Sequence, residues 1–376
     1  MDRTKVLVVF GTRPEAIKMA PVVKALEKRK GFEVRVAVTA QHRQMMDGVL
    51  DIFQIKPDYD LNIMRQGQSL TAILHRALEG LEKVIADFSP DVLLVHGDTA
   101  TTFAGALAAY YQKVDIGHVE AGLRTYDKYQ PYPEEMNRHL TGVLTDHHFA
   151  PTEKAADNLI KERIPEDRII ITGNTVIDAL LEVVNRPHSF SLPELEKIDF
   201  ERGPVILLTA HRRENWGKPL EGICKGVRKL VENIPDLQVV YPLHANPKLQ
   251  EIVRPRLGDH PRVHLVDALD YTDFCHVMSR SSLILTDSGG LQEEAPALNK
   301  PVLVMREKTE RPEGLSAGTV RLLGADAERI FKGVGELLSD EKEYTRMAEA
   351  PNPFGDGKAS ERICQYLEQH YFCTRT

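Results

Sequence analysis

The chain has 376 residues, 42% of them apolar and 27% charged; this is the composition of a soluble globular protein, and the length suggests two domains of ~150 residues rather than one core. No apolar run reaches the roughly 18 residues of a membrane helix, and the opening MDRTKVLVVF lacks the shape of a signal peptide. A net charge of −7 argues against general nucleic-acid binding, and four scattered cysteines (Cys224, Cys275, Cys364, Cys373) with no CxxC pair argue against a disulfide framework or zinc ribbon and fit a reducing cytoplasm.

In chain order, Lys5–Phe10 (KVLVVF) reads as a strand buried on both faces. Gly11-Thr12-Arg13-Pro14 turns the chain into a helix reaching about Lys28, with Pro14 in the first turn, where a missing N–H costs nothing. Further strands are predicted at Val34–Thr39, Val92–Val95 and Asp115–Val119, the last two joined by a helix over Thr99–Gln112. Apolar strands alternating with helices imply a parallel sheet covered by helices. The alternation pauses near Arg163–Thr175, and Asn185–Gly203 is polar with Pro187 and Pro193. Strands resume at Val205–Thr209, Val239–Pro242, Val263–Val266, Leu283–Thr286 and Val302–Met305. There is no short-period repeat. The breaker-rich PNPFGDG precedes an amphipathic helix over Lys358–Tyr371. The fold class is α/β with two Rossmann-like domains: residues 1–174, residues 175–357, and a C-terminal helix in 358–376 that packs back on the first domain.

Ligands of such sheets bind beyond the carboxyl ends of the strands. In the first half those positions hold Gly11-Thr12-Arg13, Gln41-His42-Arg43, Gly97-Asp98-Thr99 and Glu120-Ala121-Gly122. In the second half they hold His211-Arg212-Arg213, His244 and Asp287-Ser288-Gly289-Gly290. Glu120 thus stands at the mouth of a cleft, and Ala121-Gly122 are read as leaving room for a ligand.

TDSGGLQEEAP (Thr286–Pro296) is a strand end, a glycine pair and a helix start, which suits a phosphate. The alternative is a tight turn with Ser288 as N-cap. Neither GxGxxG nor the P-loop is matched. Glu294 is placed to meet ribose hydroxyls, and Asn299 to end the helix in a left-handed cap before Pro301. HRREN (His211–Asn215) with Arg13, Lys18, Lys308 and Arg311 supplies cations for a polyanion, against a merely salt-bridged loop. Asp98, Glu120, Glu134 and Glu135 supply carboxylates for acid–base work. Against that stand Asp98 as a cap of the following helix, and Glu134 or Glu135 as a cap or a partner of Arg138. His96-x-Asp98, His118-x-Glu120 and Asp146-His147-His148 are metal-ligand types. His96 and His118 precede the strand ends, where buried histidines are more often structural, so no metal is expected in the chemistry.

GTRPEAIKMAP, HGDTATT, HVEAGLRTYDKYQPYPEEMNR, HRREN and TDSGGLQEEAP…TERPEGL occur in that order. Together they resemble the bacterial non-hydrolysing UDP-N-acetylglucosamine 2-epimerases over essentially the whole chain. The resemblance implies a GT-B type pair of Rossmann-like domains with the active site in the interdomain cleft. It also implies reversible conversion of UDP-GlcNAc to UDP-ManNAc by elimination of UDP to 2-acetamidoglucal and re-addition, without a cofactor. Carried over by motif, Asp98, Glu120, Glu134, Arg138 and His211 are the catalytic set, with Asp98 and Glu120 as proton carriers and Glu134 with Arg138 as support. Arg13, Lys18, His211, Ser288, Gly289, Gly290, Glu294 and Arg311 hold UDP, with the uracil near Phe274. A second UDP-GlcNAc acting as activator would use Gln41, His42, Gln44, Arg65, Glu135 and His244, with domain closure on binding. A homodimer and a role in cell-surface polysaccharide supply are implied too. Ala210 and Asn299 stand where the family usually has glycine. A hydrolysing relative, a GT-B glycosyltransferase, a metal-dependent hydrolase and a non-catalytic UDP-sugar sensor are the competing readings.

Overall fold

Apolar runs covered on both faces become the central strands of two parallel sheets. The computed structural model describes residues 3–40, 43–65 and 67–373. The chain runs β1 (Thr4–Phe10), α1 (Arg13–Glu27), β2 (Phe32–Val38), α2 (Arg43–Phe53), β3 (Tyr59–Asp60), α3 (Leu70–Phe88), β4 (Val92–His96) and α4 (Ala100–Tyr111). It continues through β5 (Asp115–Val119), α5 (Glu134–Leu144), β6 (His147–Ala150), α6 (Glu153–Lys161), β7 (Ile169–Ile171) and α7 (Thr175–Val184). Among the described residues the first sheet has seven strands in the order β3-β2-β1-β4-β5-β6-β7. Val6–Phe10 of β1 are fully buried between the helical layers. The helix starts are chemically fixed: Glu15 accepts from the Thr12 N–H at 2.8 Å, Ser69 from Ala72 at 3.2 Å, and Thr99 from Thr102 at 3.1 Å. On α3, Ile73, Ala77, Leu81, Val84, Ile85 and Phe88 form one buried stripe. Leu81 is fully buried, so truncating it to alanine would cost about 2–5 kcal/mol.

The second unit adds α8 (Pro193–Glu196), β8 (Val205–Thr209), α9 (Lys218–Asn233), β9 (Gln238–Pro242), α10 (Pro247–Leu257), β10 (Val263–Val266) and α11 (Tyr271–Arg280). Then come β11 (Leu283–Thr286), α12 (Leu291–Glu294), β12 (Val302–Val304), α13 (Pro312–Ala317), β13 (Val320–Leu322), α14 (Ala327–Ser339) and α15 (Glu341–Ala348). Its described strands order as β10-β9-β8-β11-β12-β13. Leu208, Val239, Leu285 and Leu303 meet Val227, Leu230 and Val334 in one core. Thr209 and Thr286 lie opposite in register and share a hydroxyl hydrogen bond of 2.5 Å.

The last helix, α16 (Ala359–Cys373), belongs to the first unit. It buries Ile363, Cys364 and Leu367, pairs Glu368 with Arg29, and sets Phe372 5.2 Å from the Phe32 ring. The first unit comprises Met1–Ala179 and Phe354–Thr376, and the second Leu180–Pro353. These breaks fall a few residues from the sequence boundaries at 174/175 and 357/358. Thr175–Ala179 stay with the first unit because Val176, Ile177 and Ala179 are buried and Asp178 accepts from the Ser360 N–H at 2.8 Å. Among the described residues no helix is long and apolar enough to cross a membrane.

Candidate active site

In the first unit two of the expected acidic residues, Asp98 and Glu120, meet at adjacent strand ends, whereas Glu134 and Glu135 lie in the first turn of α5. Glu120 follows β5 with a left-handed backbone, φ 62°, a conformation that costs a non-glycine residue roughly 1–2 kcal/mol. Its buried carboxylate pairs with Lys18, accepts from Asn174 Nδ2 at 3.0 Å, and lies 3.7 Å from His96 Nε2 and 3.5 Å from Arg138 Nη2. The same Nη2 is 2.6 Å from Asp98 Oδ2. One guanidinium therefore bridges two carboxylates on adjacent strand ends. Burial would raise the Glu120 pKa; Lys18, His96 and Arg138 outweigh it and hold the group well below the usual carboxylate range. Glu120 is ionised at neutral pH.

The support beneath this cluster is also visible. Glu15, absent from the expected site, is fully buried. It accepts from Gly11 N–H at 3.1 Å, Thr99 Oγ1 at 2.8 Å and Thr102 Oγ1 at 3.2 Å, tying the loops after β1 and β4 together. Burial raises its pKa against those hydrogen bonds. His118 bonds the Gly97 carbonyl at 2.7 Å, and burial pushes its pKa well down; it is a neutral structural histidine. Asn137 Nδ2 donates to the Asp98 carbonyl at 3.0 Å.

Several local alternatives are resolved. Thr99, not Asp98, caps α4. Glu134 opens α5 half-buried, while Arg138 turns to Asp98 and Glu120. Glu135 is buried, and its two oxygens accept from Thr125 N–H and Tyr126 N–H, each at 3.0 Å. Ala121 and Gly122 are small for a different reason from the one expected. Ala121 packs with Ala150, Ala155 and Leu159, and a Cβ on Gly122 (φ +84°) would lie 2.2 Å from the Ala155 carbonyl oxygen. Internal packing dictates them. Arg124 is also internal, bonding both oxygens of Glu162 at 2.7 and 2.8 Å. Arg13 opens α1 half-exposed, and Arg65 is exposed, donating to the Met64 carbonyl at 2.7 Å. Gln41 and His42 lie outside the described residues, as does the side chain of Gln44.

In the second unit, fully buried Asp287 organises the loop after β8. Its Oδ2 accepts from the N–H groups of His211 and Arg212 and from Asn215 Nδ2, each at 2.9 Å. His211 itself is exposed, its ring stacked 6.5 Å from that of His244. Ser288 is not a cap, since α12 begins at Leu291 behind Gly290; its N–H bonds Thr286 Oγ1 at 2.9 Å. A Cβ on Gly289 would lie 3.3 Å from Arg212 Nη2, and one on Gly290 3.4 Å from Glu294 Oε1. The glycine pair thus sits between a cation and a carboxylate. Arg311 pairs with buried Glu293, and Arg212 lies 3.3 Å from Glu310. The Arg306 guanidinium draws the Glu310 pKa down to about 2. Phe274 is half-buried on α11.

A family model described as UDP-N-acetylglucosamine 2-epimerase matches residues 24–368. The Bacillus subtilis UDP-N-acetylglucosamine 2-epimerase is 54% identical over 371 residues, 99% of this chain and 97% of that one. The Neisseria meningitidis UDP-GlcNAc 2-epimerase bound to UDP-GlcNAc superposes with a TM-score of 0.85 at 48% identity, covering 97% of this chain and all of that one. The Methanocaldococcus jannaschii UDP-GlcNAc 2-epimerase in complex with UDP-GlcNAc and UDP gives 0.75 at 35%, covering 97% and 99%. The fold is the GT-B type of these proteins. The chain belongs to the UDP-N-acetylglucosamine 2-epimerase family.

Proposed function

We propose that the protein interconverts UDP-GlcNAc and UDP-ManNAc by eliminating UDP to enzyme-held 2-acetamidoglucal and adding it back, without hydrolysis. The observation that carries this reading is the pair of carboxylates, Asp98 and Glu120, bridged by Arg138. The carbon-2 proton has no adjacent carbonyl and is not acidic, so its removal must accompany departure of UDP from carbon 1. That needs an ionised base on one face of the sugar, a proton donor on the other, and cations for the leaving diphosphate.

Glu120, held ionised, is the proton acceptor. Lys18 masks it before substrate binds. A substrate phosphate that draws Lys18 away raises the basicity of Glu120 only when there is a proton to take. Asp98 exchanges the proton on the opposite face, with Glu134 and His211 in support. Arg13, Lys18 and Arg311 receive the diphosphate, Ser288, Gly289 and Gly290 approach it closely, Glu294 meets the ribose, and Phe274 lies by the uracil. The Neisseria relative carries UDP-GlcNAc, which supports that substrate.

A second UDP-GlcNAc as activator, contacting Arg65 and His244 with Gln41, His42 and Gln44, belongs to the same reading. Glu135 serves it by holding the Thr125–Tyr126 backbone. So do a homodimer, a cytoplasmic location and supply of ManNAc units for cell-surface polysaccharide. Incubation with UDP-GlcNAc in EDTA, with no nicotinamide, followed by chromatography, tests the proposal. UDP-ManNAc is expected; free ManNAc with UDP would place the protein with hydrolysing relatives.

A further inference from the structure

A second polar cluster lies at the opposite, N-terminal ends of the strands of the first sheet. Asp115 opens β5, His147 opens β6, and His370 stands in the last turns of α16. One ligand atom from each lies within 4.8 Å of the other two. The His147 and His370 ring centroids are 4.6 Å apart, edge to face. Glu120 lies just past the far end of β5, about 16 Å away at roughly 3.3 Å per residue, so the cluster takes no part in the chemistry above.

Two tyrosines order the buried ring of His147. The Tyr371 O–H donates to Asp115 Oδ2 at 2.8 Å. A phenol has one proton, so its 3.2 Å contact with His147 Nε2 makes that nitrogen the donor. Nδ1 then accepts from the Tyr366 O–H at 3.0 Å. Moving the ring proton to Nδ1, with the Tyr366 oxygen now accepting, frees the Nε2 lone pair beside Asp115 without net gain or loss of a proton. A ligating histidine whose other nitrogen is held by an oxygen partner is the usual arrangement around a metal ion.

We propose that Asp115, His147 and His370 bind a divalent cation of the zinc class that fastens the C-terminal helix to the sheet. Two imidazoles and one carboxylate suit Zn²⁺ or Co²⁺, whereas Mg²⁺ and Ca²⁺ take oxygen ligands. Ligand atoms ~2.1 Å from a tetrahedral ion stand ~3.4 Å apart, so the cluster contracts on loading. Exposed His370, near the end of its helix, supplies the movement.

The test uses the full, untagged chain stripped with EDTA and titrated with Co²⁺, then Zn²⁺. One Co²⁺ per chain is expected, with the strong visible absorption of a four-coordinate site, displaced by Zn²⁺. Zn²⁺ raises the Tm of the wild type and leaves turnover unchanged. Tyr366→Phe, which removes the outer partner, weakens binding about 10-fold or more, within the roughly 10–100-fold cost of such losses. His370→Ala weakens it further still and abolishes the Tm rise; the exposed position leaves folding intact. Absence of stoichiometric binding, or equal binding by His370→Ala, would overturn the proposal, the latter marking adventitious surface histidines.

Discussion

Glu120→Gln keeps the side chain's shape and removes its charge. Two cations then lose a partner: Lys18, 20% exposed, and Arg138, 10% exposed. Removing one partner of a buried ion pair costs about 3–5 kcal/mol. Arg138 keeps Asp98 at 2.6 Å and Lys18 reaches water, so the loss should fall at the low end, about 3 kcal/mol. The chemical loss is separate. A positioned base contributes roughly 10²–10⁴-fold, or about 3–5 kcal/mol of barrier. UDP affinity should change less than about tenfold, equivalent to about 1.4 kcal/mol, because most of the assigned UDP contacts are in the second unit. Chromatographic turnover, UDP calorimetry and urea unfolding measure the three quantities independently. Turnover near wild type would refute the assignment of Glu120 to chemistry. A loss of UDP affinity that tracked a collapse in stability would make Glu120 a structural anchor.

Gly122→Ala forces a Cβ to 2.2 Å from the Ala155 oxygen at φ +84°; urea unfolding should show at least about 2 kcal/mol lost, and no loss would contradict the packing explanation. Asp287→Asn weakens the charge-assisted bonds that set the His211–Asn215 loop, each worth about 1.5–3 kcal/mol; calorimetry should show UDP affinity down about tenfold or more, and unchanged affinity would remove that loop from the UDP site. Burial depresses the pKa of both His147 and His148 from 6.5 to about 4. The folded chain therefore resists protons that the unfolded chain accepts, so stability falls as pH drops from 6.5 to 4 and levels off below, by up to roughly 3 kcal/mol per group. His148→Phe should flatten that limb in urea titrations across the window; an unchanged slope would contradict it. For Glu120 the sign also works against acid: its depressed pKa gives stability that is present above the ordinary carboxylate range and lost as pH falls through the folded value.

The strands with long apolar runs were legible residue by residue. Asp115–Val119, Val205–Thr209, Val263–Val266 and Leu283–Thr286 have the bounds their patterns predict, and Asn299 takes the expected left-handed cap at φ 56°. The short edge strands β3, β7 and β13 were not, because two or three residues carry too little pattern. That omission hid Asn174. Residues after β7 stand at a strand end like the others, but the segment reads as a pause in the alternation. β6 was masked by the two histidines that begin it. His96 meets Glu120 only through the β4–β5 register, in which His96 lies beside Val119, a fact no local pattern contains. Glu15 reads simply as a helix-start glutamate, and its second task, tying two loops, is tertiary. The residue types at Gly122 were legible, but their cause was not: a missing side chain looks the same whether it makes room for a ligand or for Ala155.

The most direct test of the central claim is proton NMR of the enzyme with UDP-GlcNAc in deuterated water, with no metal or nicotinamide added. The account predicts UDP-ManNAc carrying deuterium at carbon 2 of the sugar, because the proton removed by the carboxylates exchanges with solvent before another returns. UDP-ManNAc retaining its original proton, or no epimer at all, would contradict it.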